Sequence, residues 1–114
     1  MEDLYYYGEN EMIWQLPGKY QEQLGQKIIS PDLFYRGKIV EFHGDVFHGN
    51  PDLFEGKSTP HPFKKNTTSA ELWRIDKCRK EYYNSRGYDV LEIWENNYKL
   101  DKAGVIDKCL TFLK

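Results

Sequence analysis

Short apolar runs separated by turn residues predict most of the strands in this chain. Residues 38–42 are rich in β-branched side chains and contain no breaker, so they predict a buried strand. Residues 32–36 alternate weakly and end at Gly37, which predicts an antiparallel hairpin with 38–42. Residues 88–94 predict another strand, and residues 27–30 are a weaker candidate for a first one.

The beginning of the chain carries a weaker, helical pattern. Residues 5–16 predict an entry segment followed by a short helix that ends at Pro17. Glu9 and Glu11 would fall in the first turn of that helix, where carboxylates compensate the helix dipole. Dipole compensation is the ordinary explanation for each of these acids.

Two further helices have clear start signals. Residues 68–71, TSAE, fit a capping box, and the helix that begins there is expected to run to Gly87. Asp101 can cap a last helix over 102–113, whose apolar stripe is expected to pack into the core. The stripe comprises Val105, Ile106, Cys109, Leu110 and Leu113.

The order of these elements predicts the fold class. A helix between the strands at 38–42 and 88–94 is a crossover, so the two strands are expected to be parallel. Together with the hairpin this gives an α/β (α+β) chain with a mixed central sheet flanked by helices. The 114 residues suffice for one modest core, so we expect a single domain over 1–114.

The composition of the chain bears on its partners and on the cellular compartment in which it works. The formal net charge of −2 gives no global positive field to attract nucleic acid, although acids that bind a metal would also lower it. Cys78 and Cys109 lie far apart with no histidine nearby in sequence, which indicates a reduced, cytoplasmic protein. No signal peptide and no long apolar run is evident, so no contact with a membrane is expected.

The candidate chemistry is concentrated where the strand at 38–42 ends. Glu41, His43, Asp45 and His48 follow one another within eight residues, and Asp32 lies on the neighbouring strand. Carboxylates and imidazoles at the end of a buried strand are costly unless they bind something. Oxygen and nitrogen ligands of this kind suit a divalent cation such as Mg²⁺.

The spacing of these residues outlines a known catalytic pattern. Pro31-Asp32 followed by Glu41-Phe42-His43 has the form of a PD-(D/E)xK nuclease core, with histidine where lysine is usual. Each residue also has an ordinary explanation: Asp32 begins a strand, Glu41 pairs with a lysine, and His48 lies in a loop. Asp76, on the inner side of the predicted helix, needs a partner and is suited to fixing a histidine tautomer.

Two longer segments resemble a nuclease family. VEFHGDVFHGNP, at 40–51, and the stretch from Trp73 through Asp76 to GYDVLEIWE, at 87–95, resemble the very-short-patch-repair (Vsr) endonucleases. The similarity is closer still to the EDxHD catalytic domains of phage homing endonucleases. It implies a restriction-endonuclease-like fold and hydrolysis of the DNA backbone with Mg²⁺, for which Mn²⁺ can substitute.

The resemblance implies specific roles for residues of this chain. Asp32 and the backbone carbonyl of Phe42 would hold the metal, and Glu9 would bind it through water, with Glu11 as the rival glutamate. His48 would be the catalytic histidine.

Asp76 would orient His48 in such a site. Glu41 and Asp45 resemble further acids of the phage branch, and His43 is an additional candidate. The family often has tryptophan before the histidine, where this chain has Phe47. Vsr repair enzymes carry a structural zinc built partly from cysteines, a place held here by Asp45, so no structural zinc is expected.

These observations predict a Mg²⁺-dependent DNA endonuclease, the catalytic domain of a phage-type homing endonuclease. Its partners would be double-stranded DNA, a second copy for cutting both strands, and a separate DNA-targeting domain. Two alternatives stay open. One is a non-catalytic nucleic-acid-binding module that keeps the nuclease fold, and the other is a metal-binding regulatory or toxin-like domain acting on RNA.

Overall fold

The computed structural model describes the backbone of residues 4–7, 11–26 and 28–114, and the side chains of residues 16–26 and 29–114. Eleven elements follow one another within these ranges. The six strands are β1 (Leu4–Tyr7), β2 (Glu11–Gln15), β3 (Ile28–Ile29), β4 (Leu33–Tyr35), β5 (Lys38–His43) and β6 (Asp89–Trp94). The five helices are α1 (Gly18–Leu24), α2 (Asp45–His48), α3 (Ser69–Ser85), α4 (Glu95–Leu100) and α5 (Lys102–Leu113).

The described strands form two sheets of three strands each. The first has the order β1-β2-β3 and is antiparallel. The second has the order β4-β5-β6, with β4 antiparallel and β6 parallel to β5. The α+β class, the mixed sheet, the hairpin and the parallel crossover are therefore as predicted, while the additional antiparallel sheet was not. Arg36 and Gly37 turn the hairpin with φ of 48° and 78°, the left-handed pair that a two-residue turn requires.

The prediction of a short helix within residues 5–16 was wrong, because residues 11–15 form strand β2. This strand pairs with β1 on one side and with β3 on the other, for example Trp14 with Ile29. A short apolar run is compatible with either a helix or a strand. Here the segment forms a strand because it pairs with a neighbouring strand on each of its two edges. Glu11 therefore begins a strand rather than a helical turn, and Glu9 lies outside the described residues.

The core lies where α3 and α1 cover the inner ends of both sheets. The inner face of α3 is apolar, since Leu72, Tyr82 and Tyr83 are buried and Ile75 is partly buried. The buried cluster consists of Leu16, Leu24, Ile29, Ile39, Cys78, Tyr82 and Tyr83. Period-2 alternation along β5 directs Ile39 toward this cluster, so residues 41 and 43 of the same strand also face α3.

Helix α5 begins where predicted but does not join the core. The backbone N–H of Gly104 donates to Asp101 Oδ1 at 3.0 Å, which confirms the cap. The expectation that its apolar stripe is core was wrong: Ile106 and Leu110 are exposed, and the stripe lines an open groove of about 730 Å³. The short helix α4, which was not predicted, connects β6 to α5, and Lys38 of β5 donates a hydrogen bond to the Phe112 carbonyl of α5 at 2.7 Å. It begins without a side-chain cap, and its sequence signals are limited to Glu95 in the first turn and Lys99 in the last.

Within the ranges that the structure describes, no helix has both the length and the apolarity needed to cross a membrane.

Candidate active site

The site lies on strands β5 and β6, and their parallel register decides which of its side chains are neighbours. On the face toward α3, residues 39, 41 and 43 of β5 lie beside residues 90, 92 and 94 of β6, and the face changes from aliphatic to acidic along the strands. The pairs are Ile39 with Val90, Glu41 with Glu92, and His43 with Trp94. Helix α3, which packs over this face, supplies the groups that balance these charges.

Glu41 is buried against an arginine of α3. Its side chain accepts a hydrogen bond from Arg79 Nε at 3.0 Å, although Glu41 is only 5% exposed. Burial raises the pKa of Glu41, Arg79 lowers it, and the nearby carboxylate of Asp32 raises it, so that the pKa lies above its usual value. The partner is therefore an arginine, not the lysine considered as the ordinary explanation.

Asp32 connects the hairpin strands next to Glu41. Its Oδ2 accepts a hydrogen bond from the backbone N–H of Phe42 at 2.8 Å, and its own N–H donates to Glu41 Oε2 at 3.4 Å. Two carboxyl groups thus lie close together, and Asp32 raises the pKa of Glu41 through a side-chain hydrogen bond and through charge repulsion. A hard divalent cation relieves such repulsion, so Asp32 and Glu41 are donors that fit Mg²⁺.

His43 lies deeper, at the carboxyl end of β5. It is 4% exposed, and its Nε2 lies 2.7 Å from Glu92 Oε2, while Lys80 approaches the other oxygen of Glu92 at 3.3 Å. Burial lowers the pKa of His43, but the hydrogen bond to Glu92 and the charges of Asp76, Glu92 and Glu41 raise it above its usual value. The hydrogen bond to His43 in turn lowers the pKa of Glu92.

His48 projects from the single turn of α2 onto the same cluster. Its Nδ1 lies 2.9 Å and 3.0 Å from the two carboxylate oxygens of Asp76, on α3. Its ring lies 4.3 Å from the ring of His43, centroid to centroid. The structure therefore brings together His48 and Asp76, which are 28 residues apart, and gives Asp76 the partner that its position required.

The HGN sequence at 48–50 holds α2 in place. Gly49 has φ of 64°, and a Cβ atom there would lie 3.0 Å from the Cβ of Ser69 and 3.1 Å from its backbone Cα. Trp73 Nε1 donates a hydrogen bond to the Gly49 carbonyl, which ties the turn to α3. Asn50 is buried and donates from Nδ2 to Asp45 Oδ1 at 2.8 Å.

Asp45 has a structural set of partners. Besides Asn50, its Oδ1 accepts from the backbone N–H of Asn96 at 3.2 Å, and its own N–H donates to Glu95 Oε1 at 3.1 Å. These bonds join α2 to α4. They occupy Oδ1 of Asp45 and fix α2 beside the other groups of the site.

Three charged residues of the site were not singled out from the sequence: Arg79, Lys80 and Glu92. Glu92 had a visible signal, because it interrupts the apolar run of the 88–94 strand. Arg79 lies one turn from Asp76 on the same helix, a spacing that places both on one face. Of the predicted residues, the structure gathers Asp32, Phe42, Glu41, His43, His48 and Asp76 at one edge of the mixed sheet.

Comparisons with protein-family models, with curated proteins and with solved structures find no match to this chain.

Proposed function

We propose that this chain is a Mg²⁺-dependent DNA endonuclease domain of the restriction-endonuclease-like class. The observation that carries the proposal is the His48–Asp76 pair, which lies on the same side of the mixed sheet as the oxygen donors of Glu41, on β5, and Asp32, just before β4. His48 contacts His43, and His43 follows Glu41 on the same face of β5, next to Asp32. A proton-transfer group thus adjoins metal-binding groups, as phosphodiester hydrolysis requires.

The hydrogen bond to Asp76 sets the chemistry of His48. A carboxylate that accepts the Nδ1–H proton fixes the tautomer and leaves Nε2 with a free lone pair. His48 is 30% exposed, so this nitrogen can accept a proton from water or return one to the leaving oxygen. Asp76 then acts as a positioning residue that stabilises the imidazolium.

Asp32 and Glu41, with the Phe42 carbonyl and a water-linked Glu9 that the family resemblance implies, would hold Mg²⁺. When bound, the ion would stabilise charge on the phosphate and lower the pKa of coordinated water. Arg79 balances Glu41 in the metal-free chain, so it would also limit the excess negative charge of the site.

The surface beside His48 supports DNA as the substrate. Phe47 and Phe63 are exposed, and their rings stack with centroids 6.2 Å apart. Lys64 and Lys65 follow immediately and are exposed. Aromatic faces stack on bases and lysines contact phosphates, so this surface can hold a strand near His48 even though the chain is acidic overall.

A second candidate is a binding module that has lost cleavage. The ion pair of Glu41 with Arg79 favours it, because a salt-bridged carboxylate competes poorly for a metal. Such a module would bind DNA without Mg²⁺ and would not cut it under any divalent metal.

Cleavage of supercoiled plasmid with Mg²⁺ or with EDTA tests the proposal. Loss of His48 in His48→Ala should reduce the rate at least about 100-fold, since general acid–base groups contribute that much or more. Asp76→Asn should reduce it about 10–100-fold through the orientation of His48. Asp107→Asn, an exposed carboxylate on α5, is the matched control and should cut like the wild type.

The variant Asp32→Ala tests whether the proposed Mg²⁺ ligands are needed for cleavage. It should abolish cutting while circular dichroism shows an unchanged fold, because Asp32 is exposed. Nicking that persists in both His48→Ala and Asp32→Ala would refute the assignment. Mg²⁺-independent DNA binding by a wild-type chain that never cuts would establish the binding module instead.

A further inference from the structure

We propose that His43, His48 and Asp76 form a second metal site, selective for borderline transition ions such as Zn²⁺ or Co²⁺ and distinct from the oxygen donors of Asp32 and Glu41. One ligand atom from each of the three residues lies within 4.8 Å of the others. The three come from three different elements, β5, α2 and α3, so the fold itself brings them together.

His43 supplies an observation that is independent of this proximity. Its Nδ1 is buried and has no hydrogen-bond partner among the residues that the structure describes. Its Nε2 is engaged by Glu92 at 2.7 Å. In the neutral tautomer that donates Nε2–H to that carboxylate, Nδ1 carries a bare lone pair in a residue that is 4% exposed, which is costly unless something binds it.

The Glu92–His43 pair has the arrangement of a metal-binding histidine. Ligating imidazoles generally donate their other N–H to a carboxylate, which orients the ring and raises its basicity. Glu92 is itself held by Lys80, so the supporting carboxylate is fixed in turn. His43 is therefore prepared as a ligand before any ion arrives.

His48 and Asp76 complete the donor set at a suitable separation. Their contacting atoms lie 2.9 Å apart, and neighbouring ligands of a tetrahedral zinc, with bonds of about 2.0–2.1 Å, lie about 3.3 Å apart. An ion that replaces the proton between Nδ1 and the carboxylate needs only a small adjustment of these side chains. The partial exposure of His48 gives the ion a route from solvent and leaves a position for water.

The types of ligand atom in this cluster determine which metal ions it would favour. Two imidazoles with one carboxylate favour Zn²⁺, Co²⁺ and Ni²⁺, whereas Mg²⁺ prefers oxygen ligands. Binding does not depend on nuclease activity. A consequence does rest on the proposed function: an ion bound to His48 removes it from proton transfer, so traces of Zn²⁺ should inhibit cleavage in the presence of Mg²⁺.

Titration of metal-stripped protein with Co²⁺, without DNA, tests the site directly. We expect one ion per chain with the visible absorption of a four-coordinate nitrogen and oxygen site, and displacement by Zn²⁺. His43→Gln and Asp76→Asn should each weaken binding at least about tenfold. His61→Ala is the matched control, because His61 is the remaining histidine and lies outside the cluster, and it should bind like the wild type.

Two outcomes would overturn the proposal. One is unchanged Co²⁺ affinity in whichever of His43→Gln and Asp76→Asn circular dichroism shows to be folded. The other is a sulfur-to-cobalt charge-transfer band, which would assign the ion to Cys78 or Cys109. Inhibition of plasmid cleavage by Zn²⁺, weaker in His43→Gln, is measured separately, so a chain that never cuts refutes the proposed function without affecting the metal titration.

Discussion

Replacing Arg79 by methionine should destabilise the protein strongly, because it leaves the carboxylate of Glu41 buried without its counter-charge. Methionine keeps most of the side-chain volume, so little of the effect comes from a cavity. Removing one partner of a buried ion pair typically costs about 3–5 kcal/mol. Arg79 is itself 25% exposed, which admits some solvent, and we therefore expect a loss of about 3 kcal/mol.

Thermal and urea unfolding, followed by circular dichroism in EDTA, measure this loss. For a chain of this length 3 kcal/mol corresponds to a fall in Tm of about 10 °C. Arg74→Met is the matched control on the same helix, since its partner Glu71 and Arg74 itself are about half exposed, and it should destabilise the protein far less than Arg79→Met. The double variant Glu41→Gln/Arg79→Met should recover much of the loss, because no charge is then buried.

The loss should also depend on pH. The pKa of Glu41 is already raised by burial, and removing Arg79 removes the larger of the two influences that lower it, the other being a hydrogen bond with Tyr83. A carboxyl whose folded pKa exceeds its unfolded pKa is stabilised at low pH and loses that stability as the pH rises through the folded value. The penalty of Arg79→Met should therefore be small in acid and complete at neutral pH. Equal losses for Arg74→Met and Arg79→Met, at every pH, would refute this reasoning.

Two further predictions concern α2 and the buried histidine. Gly49→Ala should destabilise the protein by at least about 1–2 kcal/mol in urea unfolding, since alanine disfavours φ of 64° and its Cβ would press on the backbone of Ser69. Gly87→Ala, at positive φ but in open space, isolates the steric part. Glu92→Gln should lower the pKa of His43, followed by NMR titration in EDTA, because the hydrogen bond to Glu92 is the main influence that raises it. An unchanged pKa would contradict that cause.

Local chemistry explains which elements could be predicted. The start of α3 was evident because capping depends on neighbours in sequence, and Thr68 Oγ1 accepts from the N–H of Glu71 at 3.2 Å. Strand β2 could not be predicted in the same way, because its state depends on pairing with segments before and after it. The exposure of Ile106 and Leu110 on α5 likewise depends on tertiary packing, which the apolar period of the helix does not specify.

The residues of the candidate site also fall into two groups, those that the sequence predicted and those that it did not. Asp32, His48 and Asp76 were predicted from motifs, and the need of Asp76 for a partner followed from its place on an inner helix face. The neighbours that tune the site depend on strand register, which the sequence does not reveal. Glu92 reaches His43 only because β5 and β6 are parallel with Glu41 beside Glu92.

Histidine at position 43, where a PD-(D/E)xK pattern has lysine, changes what the site can do. A lysine would place a permanent positive charge beside His48. His43 carries such a charge only when protonated, and Glu92, Asp76 and Glu41 favour that state by raising its pKa. The neutral state instead presents a lone pair at Nδ1. In the ion site that we propose, a proton and a transition ion would compete for this nitrogen, so the charge beside His48 would depend on whether the ion is bound.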